Sequence, residues 1–385
     1  MSSYIRRTTL LAVATFAVAC QEPSSNEIAS GLTAPIAAAN TRANDEDRRS
    51  SKPTMTLVWN QLTRDVVTQQ QTGAAPAVRI YALVAVAQDA AIEAVEQRSR
   101  GRVHPSERAA VASASASVLG YLYPALVQSF EARVQAQADS IADDRRGRES
   151  VEVGDSIGRA VAAKVIDRAK TDGFFAPFTG TVPVCPGCWV AVPTPPAFAT
   201  LGQAKTFVTT SGNQFRPPPP PAFGSPAFKA GLAEVRKISD TRTPAQDSIA
   251  KVWALQNGTV TTLGYWNALA AELIARRNMD EARAAHTMAL VNMAGYDALI
   301  ASHSAKYTYW LIRPSQADPL IKLAIGLPSF PAYPSNHAAI SAAADAGISR
   351  IYGGIHYRFD SDAGLTLGKT IGRYVVERDR RNGSR

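Results

Sequence analysis

An all-α fold, arranged as two packed helical bundles joined by a Pro-rich irregular connector, is predicted by three observations. Apolar residues recur at spacings of three and four along ten segments, alternating strand patterns are nearly absent, and eleven of the 24 prolines fall between Pro183 and Pro226. The first five segments are Met55–Gln71, Ala75–Glu96, Ser106–Leu122, Ala125–Ala142 and Val151–Asp172, with Ala and long polar residues between the apolar positions. Pro105-Ser106 is a helix start, and Gly101 and Gly173 are stops. The proline-dense stretch, with Pro217–Pro221 in an unbroken row, forbids helix and regular sheet and reads as a covering or polyproline-II segment. Helical periodicity resumes over Pro226–Ser239, Pro244–Gln256 (opened by Thr243), Thr262–Arg277, Asp280–Ser304 and Asp362–Arg378. The expected organisation is an N-terminal bundle over 53–180, a connector over 181–226 and a C-terminal bundle over 227–385.

Composition agrees with a globular chain. Of 385 residues, 46% are hydrophobic and 19% charged, which excludes a disordered chain, a disulfide-built miniprotein and a collagen-like fibre. Beyond the N-terminus no apolar run is long enough for a polytopic membrane protein. Lys and Arg number 41 against 32 Asp and Glu, a net charge of +9. The excess is dispersed and no nucleic-acid-binding module is present, so no nucleic-acid partner is expected; an anionic ligand suits the balance.

Residues 1–20 read as an export signal, with Arg6 and Arg7 ahead of the short apolar run Leu10–Ala19. Ala17-Val18-Ala19 fits simple cleavage. With Cys20 it also resembles a bacterial lipobox, the favoured reading, which lipidates Cys20 and tethers an exported protein to a membrane through residues 21–52. The periplasm or the outer membrane is then the expected location, with secretion the alternative. Cys185 and Cys188, in Cys-Pro-Gly-Cys, have no second cysteine pair and read as a small loop disulfide of minor stabilising effect.

Chemistry concentrates in the C-terminal third. Lys306 and Arg313 lie seven residues apart, about 700° around a helix, and are expected to project from one face toward one anion. Ser335-Asn336-His337, ahead of a helical run, places a hydroxyl and free N–H groups at a helix start, although a plain N-cap has the same pattern. Ser349-Arg350 is followed by His356 and, four residues on, by Asp360, a carboxylate able to accept from one ring nitrogen and leave the other as nucleophile or metal ligand. Singly, each has a structural explanation: a solvated basic pair, a cap, a surface His–Asp pair. His104 reads as a surface residue and His286 as one that packs or hydrogen-bonds.

In their order, K-x6-R-P, P-S-x-H and S-R-x5-H-x3-D make the chain resemble the vanadium-dependent haloperoxidases and type 2 phosphatidic acid phosphatases. SFPAYPSNHA and SRIYGGIHYRFD point to the bacterial haloperoxidase branch, and WVAVPTPPAF, FRPPPPPAFGS and the helix containing Asp89 extend the likeness over most of the chain. The resemblance implies a vanadate cofactor held by Lys306, Arg313 and Arg350 with Ser335 and the Asn336 N–H. It implies His356 as the metal ligand, Asp360 orienting it, His337 as acid–base, and Phe330 with His303 lining a halide pocket. Hydrogen peroxide and a halide or organic small molecule are the implied substrates. A phosphatase working at the same site is the close alternative. Two departures stand out: Asn336 replaces a usual Gly, and only Ala338–Ile348 separates His337 from Ser349, where the family places roughly 30 residues or more. That short link supports a third reading, a non-catalytic exported scaffold, although Gly347 is able to help a tight reversal that would keep Arg350 and His356 at the site.

Overall fold

The computed structural model describes residues 53–98, 104–142, 145–191 and 195–383. The signal, Cys20 and the tether lie outside them. Thirteen α-helices and two single-turn 3₁₀ segments make up the regular structure, and the described residues contain no strand. The all-α expectation holds.

The first group is α1 (Met55–Gln69), α2 (Ala74–Arg98), α3 (Glu107–Leu122), α4 (Val127–Ile141) and α5 (Arg145–Lys170). The start of α1 is fixed from far along the chain: both carboxylate oxygens of Glu281 accept from the Met55 and Thr56 N–H groups at 2.7 Å, a buried anion at the positive helix end. Ser106 caps α3, accepting from Ala109 N–H at 3.2 Å. The α5 helix begins six residues before the predicted Val151, because Arg145–Ser150 has good helix formers but little apolar period.

After the connector come α6 (Pro226–Thr241), α7 (Pro244–Val252), α8 (Thr261–Arg276), α9 (Glu281–Tyr309), α10 (Pro314–Ala317), α11 (Asn336–Ser341), α12 (Ala344–Tyr352) and α13 (Arg358–Arg381). Thr243 with Gln246 around Pro244 supplies the expected N-cap of α7, and Ser225 ahead of Pro226 caps α6.

The 29-residue α9 organises the C-terminal part. Its buried residues, from Glu281 to Lys306, lie on every side of it, as in a helix enclosed by others. It packs on α2, α8, α11 and α13. The largest apolar cluster accordingly crosses the connector in sequence: Trp59, Tyr81, Leu83, Leu119 and Phe174 share a core with Leu263, Tyr296, Leu299 and Ile300. A second cluster of Phe228, Val235, Leu311, Ile312, Tyr333, Ile351 and Tyr357 underlies the C-terminal loops.

The described part of the connector is irregular apart from Leu201–Gln203, and specific polar contacts hold it. Buried Asp297 of α9 accepts from the N–H groups of Phe207, Val208 and Thr209 at 2.8–2.9 Å. Tyr309 donates to the Pro217 carbonyl and Tyr333 to the Pro218 carbonyl, both at 2.7 Å. The proline row, which has no N–H groups of its own, is fastened down by tyrosine hydroxyls. Cys185 and Cys188 are joined as a disulfide.

The short link folds as a tight reversal. The α11 helix ends after one and a half turns, Ala342 adopts φ 47° and α12 begins at Ala344. The reversal is therefore at Ala342, not at Gly347. Gly347 lies inside α12, where its carbonyl accepts from Ser361 Oγ at 3.0 Å and a Cβ would press on Ser361. Two glycines of α13, Gly364 and Gly368, face the backbone of α11: a Cβ on either would overlap the Ser335 or Ala339 carbonyl. Their absent side chains let the last helix lie directly on the helix that follows Ser335.

Candidate anion-binding active site

Four turns and helix ends bring the predicted residues together. Lys306 sits in the last turn of α9 and is fully buried. The helix then stops, because Trp310 takes a left-handed conformation (φ 50°) and its N–H closes on the Lys306 carbonyl at 2.9 Å. Arg313 is thus not on the same helix face as Lys306. It lies past the end of α9, at the N-cap of α10, and returns toward Lys306 through the turn.

Lys306 Nζ donates to the carbonyls of Pro331, Ala332 and Pro334, at 2.9, 2.8 and 2.5 Å. An ammonium has three protons, so this one is fully engaged by the loop leading to Ser335. Ser335 is buried and caps α11, and its own N–H reaches the Asp360 carbonyl at 2.9 Å. Asn336 Oδ1 accepts from Ser302 Oγ of α9 at 2.6 Å.

Arg313 is fully buried and divides its donors. Nε donates to the Phe330 carbonyl at 3.0 Å, and Nη1 to the Ile355 carbonyl at 2.8 Å and to His356 Nε2 at 3.1 Å. Nη2 is buried with no hydrogen-bond partner. Since a guanidinium only donates, His356 Nε2 carries a lone pair and its Nδ1–H is the donor to Asp360 Oδ2 at 2.8 Å. That spacing follows from the helix start: His356 precedes α13, Asp360 occupies its first turn, and the same oxygen also accepts the Tyr357 N–H at 3.1 Å.

Arg350 arrives on α12, buried, with Nη1 on the Trp253 carbonyl at 3.1 Å and Nε without a partner. His337 Nε2 is 3.3 Å from the next carbonyl, Ala254, so its Nδ1 bears the lone pair. The C-terminal end of α7 thereby holds two site residues from two other helices. Neither carbonyl was foreseeable, because a backbone acceptor leaves no mark in sequence; Ser302, one turn before Lys306, did carry a helical-spacing signal.

The electrostatics are those of a buried positive cluster. Lys306, Arg313 and Arg350 are buried with one carboxylate, Asp360, an excess of two positive charges among the four. Burial pushes Arg313 down to about 10. Burial and then the Arg313 charge push Arg350 down to about 9 and Lys306 well below its ordinary value. His356 is held well below the usual imidazole range by burial and then by the charges of Arg313, Lys306 and Arg350 and by His337. His337 is likewise lowered, by burial first and Arg350 next. Burial raises Asp360 to about 7 against Lys306, the Tyr357 N–H and Arg313. Both histidines are therefore neutral at neutral pH.

His303 is buried with its Nδ1 3.0 Å from the Leu299 carbonyl, and its ring lies 5.5 Å from that of Phe330. Burial and then Lys306 push it down to about 3. Phe330 also lies 5.1 Å from Lys306 Nζ and 5.2 Å from the Arg313 guanidinium carbon. Phe330, Asn336 and His337 are the half-buried members of the set, the others being buried.

An oxyanion fits this donor set. Arg313 Nη2 and Arg350 Nε are buried donors without acceptors, beside a histidine lone pair and surplus positive charge. No group of three or more His, Cys, Asp or Glu side chains that would hold a bare metal cation is found among the described residues.

Comparison with known proteins agrees with the architecture. Residues 341–383, which include Arg350, His356 and Asp360, match the family described as the VCPO second helical-bundle domain. The structure resembles a bacterial vanadium-dependent iodoperoxidase at 22% identity and TM-score 0.68, covering 86% of this chain and 97% of that one. It also resembles a bacterial vanadium-dependent chloroperoxidase in its apo form, at 15% identity and TM-score 0.65 over 79% of this chain and 93% of the other. The holo form gives 15% identity and TM-score 0.65 over 90% and 97%. No curated protein is similar enough to match. The chain thus has the helical fold of the vanadium haloperoxidase superfamily, and its C-terminal segment matches that family's second bundle.

Proposed function

We propose that the protein is a vanadium-dependent haloperoxidase-like enzyme that oxidises a halide or small organic substrate with hydrogen peroxide. The observation that carries this reading is the presence of a His356 lone pair and of unpartnered nitrogens on Arg313 and Arg350 within one buried, positively charged cluster. Vanadate, when bound, would supply a Lewis-acidic centre that activates peroxide.

The chain's own residues have separable tasks. His356 Nε2 would ligate the metal, with Asp360 fixing the tautomer through Nδ1–H. Arg313 Nη2 and Arg350 Nε would bind the anion's oxygens, and preset cations stabilise such charge without reorganising. Lys306 would add charge while holding the Pro331–Pro334 loop. Ser335 and the Asn336 N–H stand beside the loop it holds. His337, neutral and half-buried, would take a proton from peroxide at Nδ1. Phe330 and His303 would form an adjoining wall for the halide.

The deciding experiment is bromide oxidation by peroxide with purified protein, with and without vanadate, run beside hydrolysis of an aryl phosphate. Vanadate-dependent bromide oxidation upholds the proposal. Phosphate release alone assigns the site to a phosphatase, and neither activity together with no anion binding supports the scaffold reading. We further propose export and lipidation at Cys20; labelled fatty acid incorporated by the wild type but not by Cys20→Ser tests it.

A further inference from the structure

We propose that the Cys185–Cys188 disulfide is a thiol-exchange site, taking a dithiol as its reactant, that governs how firmly Arg313 is held. The consequence for anion binding rests on the reading of the Arg313–His356 cluster given above.

The disulfide closes a four-residue turn, with Cys188 N–H on the Cys185 carbonyl at 3.0 Å. That turn does not simply cover the surface. It pairs with the stretch between the end of α9 and Arg313: Trp189 N–H donates to the Trp310 carbonyl at 2.6 Å and Ile312 N–H to the Gly187 carbonyl at 2.9 Å, an isolated antiparallel bridge centred on Cys188 and Leu311. Leu311 passes the connection inward, its carbonyl accepting from Ala332 N–H at 2.9 Å within the loop that Lys306 holds. Beyond the bridge, Gln316 Nε2 donates to the Val190 carbonyl at 2.6 Å, and Gln316 Oε1 accepts the Arg313 N–H at 3.3 Å. Arg313 is thus flanked by contacts to the Cys185–Val190 segment, on one side through backbone pairing and on the other through the Gln316 side chain.

The bond is accessible: Cys185 is exposed and Cys188 half-buried, while neighbouring Trp189 is buried. A thiolate of the dithiol attacks Cys185 Sγ, forming a mixed disulfide and releasing Cys188 as a thiolate, which takes up a proton. The second thiolate of the reagent then displaces Cys185. The protein disulfide gains two electrons and two protons to become two thiols, and the dithiol becomes a disulfide. A four-residue loop contributes little to global stability, so the effect of opening it is local, on the pairing with Trp310 and Ile312.

The test compares oxidised protein with protein reduced by dithiothreitol under native conditions, alkylated with iodoacetamide and freed of reagents. Amide exchange at Trp189 and Ile312 is followed by mass spectrometry, and inorganic phosphate binding by calorimetry. Reduction is expected to speed exchange at both amides at least about fivefold and to weaken phosphate about tenfold, with a melting shift under about 3 °C. Cys185→Ser/Cys188→Ser should match the reduced protein and ignore the dithiol. Unchanged exchange, unchanged phosphate affinity, or a disulfide that resists dithiothreitol until the protein unfolds overturns the proposal. If the oxidised protein binds no phosphate, the anion-site reading fails instead, and the exchange rates alone then uphold or overturn the clamp.

Discussion

Arg313 Nη1 donates to Nε2 of His356 at 3.1 Å, so the lone pair on that nitrogen faces a cation. A guanidinium held there by the Ile355 and Phe330 carbonyls keeps the imidazole neutral and its Nδ1–H turned to Asp360. Arg313→Lys retains the charge but removes the fork, and vanadate affinity should fall by a hundredfold or so, about 3 kcal/mol. Calorimetric titration with vanadate checks this, and affinity within a factor of three of wild type would count against Arg313 as a binding residue. His356→Ala should abolish turnover outright; unchanged turnover refutes its assignment.

Asp360→Asn puts an amide beside His356 Nδ1 and the Tyr357 N–H, both donors to the native carboxylate. The imidazole loses its preference for the Nδ1–H tautomer, and the expected cost is roughly 10- to 100-fold in vanadate affinity or activity. Steady-state kinetics with a circular dichroism control separates this from unfolding.

Gly368→Val drives a branched side chain into the Ala339 carbonyl across the α11–α13 contact. Overpacking of this kind costs about 2–3 kcal/mol, and the denaturant midpoint should fall accordingly. Gly372, whose Cβ would meet nothing, is the control, and Gly372→Ala should be neutral or slightly stabilising.

His286 lies between Asp89 of α2, at 3.3 Å, and Asp379 of α13, at 3.0 Å. The hydrogen bond to Asp89, aided by Asp379 and opposed by burial, raises it from 6.5 to about 9. A folded-state value above the unfolded one means its stabilisation is complete below about pH 6.5 and disappears as pH rises through about 9. With the ion pairs partly exposed, it amounts to about 1 kcal/mol. Melting temperature should decline between pH 7 and 10, and His286→Gln should flatten that decline; an identical pH profile in the variant would disprove the link.

Ala342 holds φ 47° at the reversal between α11 and α12. Ala342→Gly relieves a left-handed conformation that costs a β-carbon about 1 kcal/mol, so stability should rise by up to that amount. Thermal unfolding measures it.

The helices of this fold were legible because α9 and its neighbours carry their apolar period in the chain itself, and the three motifs named the cavity's charged side chains. Turns were less legible. Lys306 and Arg313 looked like helical neighbours because seven residues make two turns, whereas Trp310 ends the helix with no glycine to announce it. The short link looked too short for the same kind of reason: Ala342 makes the reversal, and alanine is not a turn residue by composition. Trp253 and Ala254 contribute only carbonyls, so nothing in their side chains points to Arg350 or His337. Glu281 and Asp297 show the same limit on a longer scale, each carboxylate gripping N–H groups about 90 or more residues away.

Lys306 is a keystone as much as a charge. Replacing it uncaps three carbonyls in the same stroke that removes a cation, so a slack Pro331–Pro334 arch and a weakened electric field arrive together. Arg313 and Arg350 differ from Lys306 in that each keeps a buried nitrogen that no carbonyl takes.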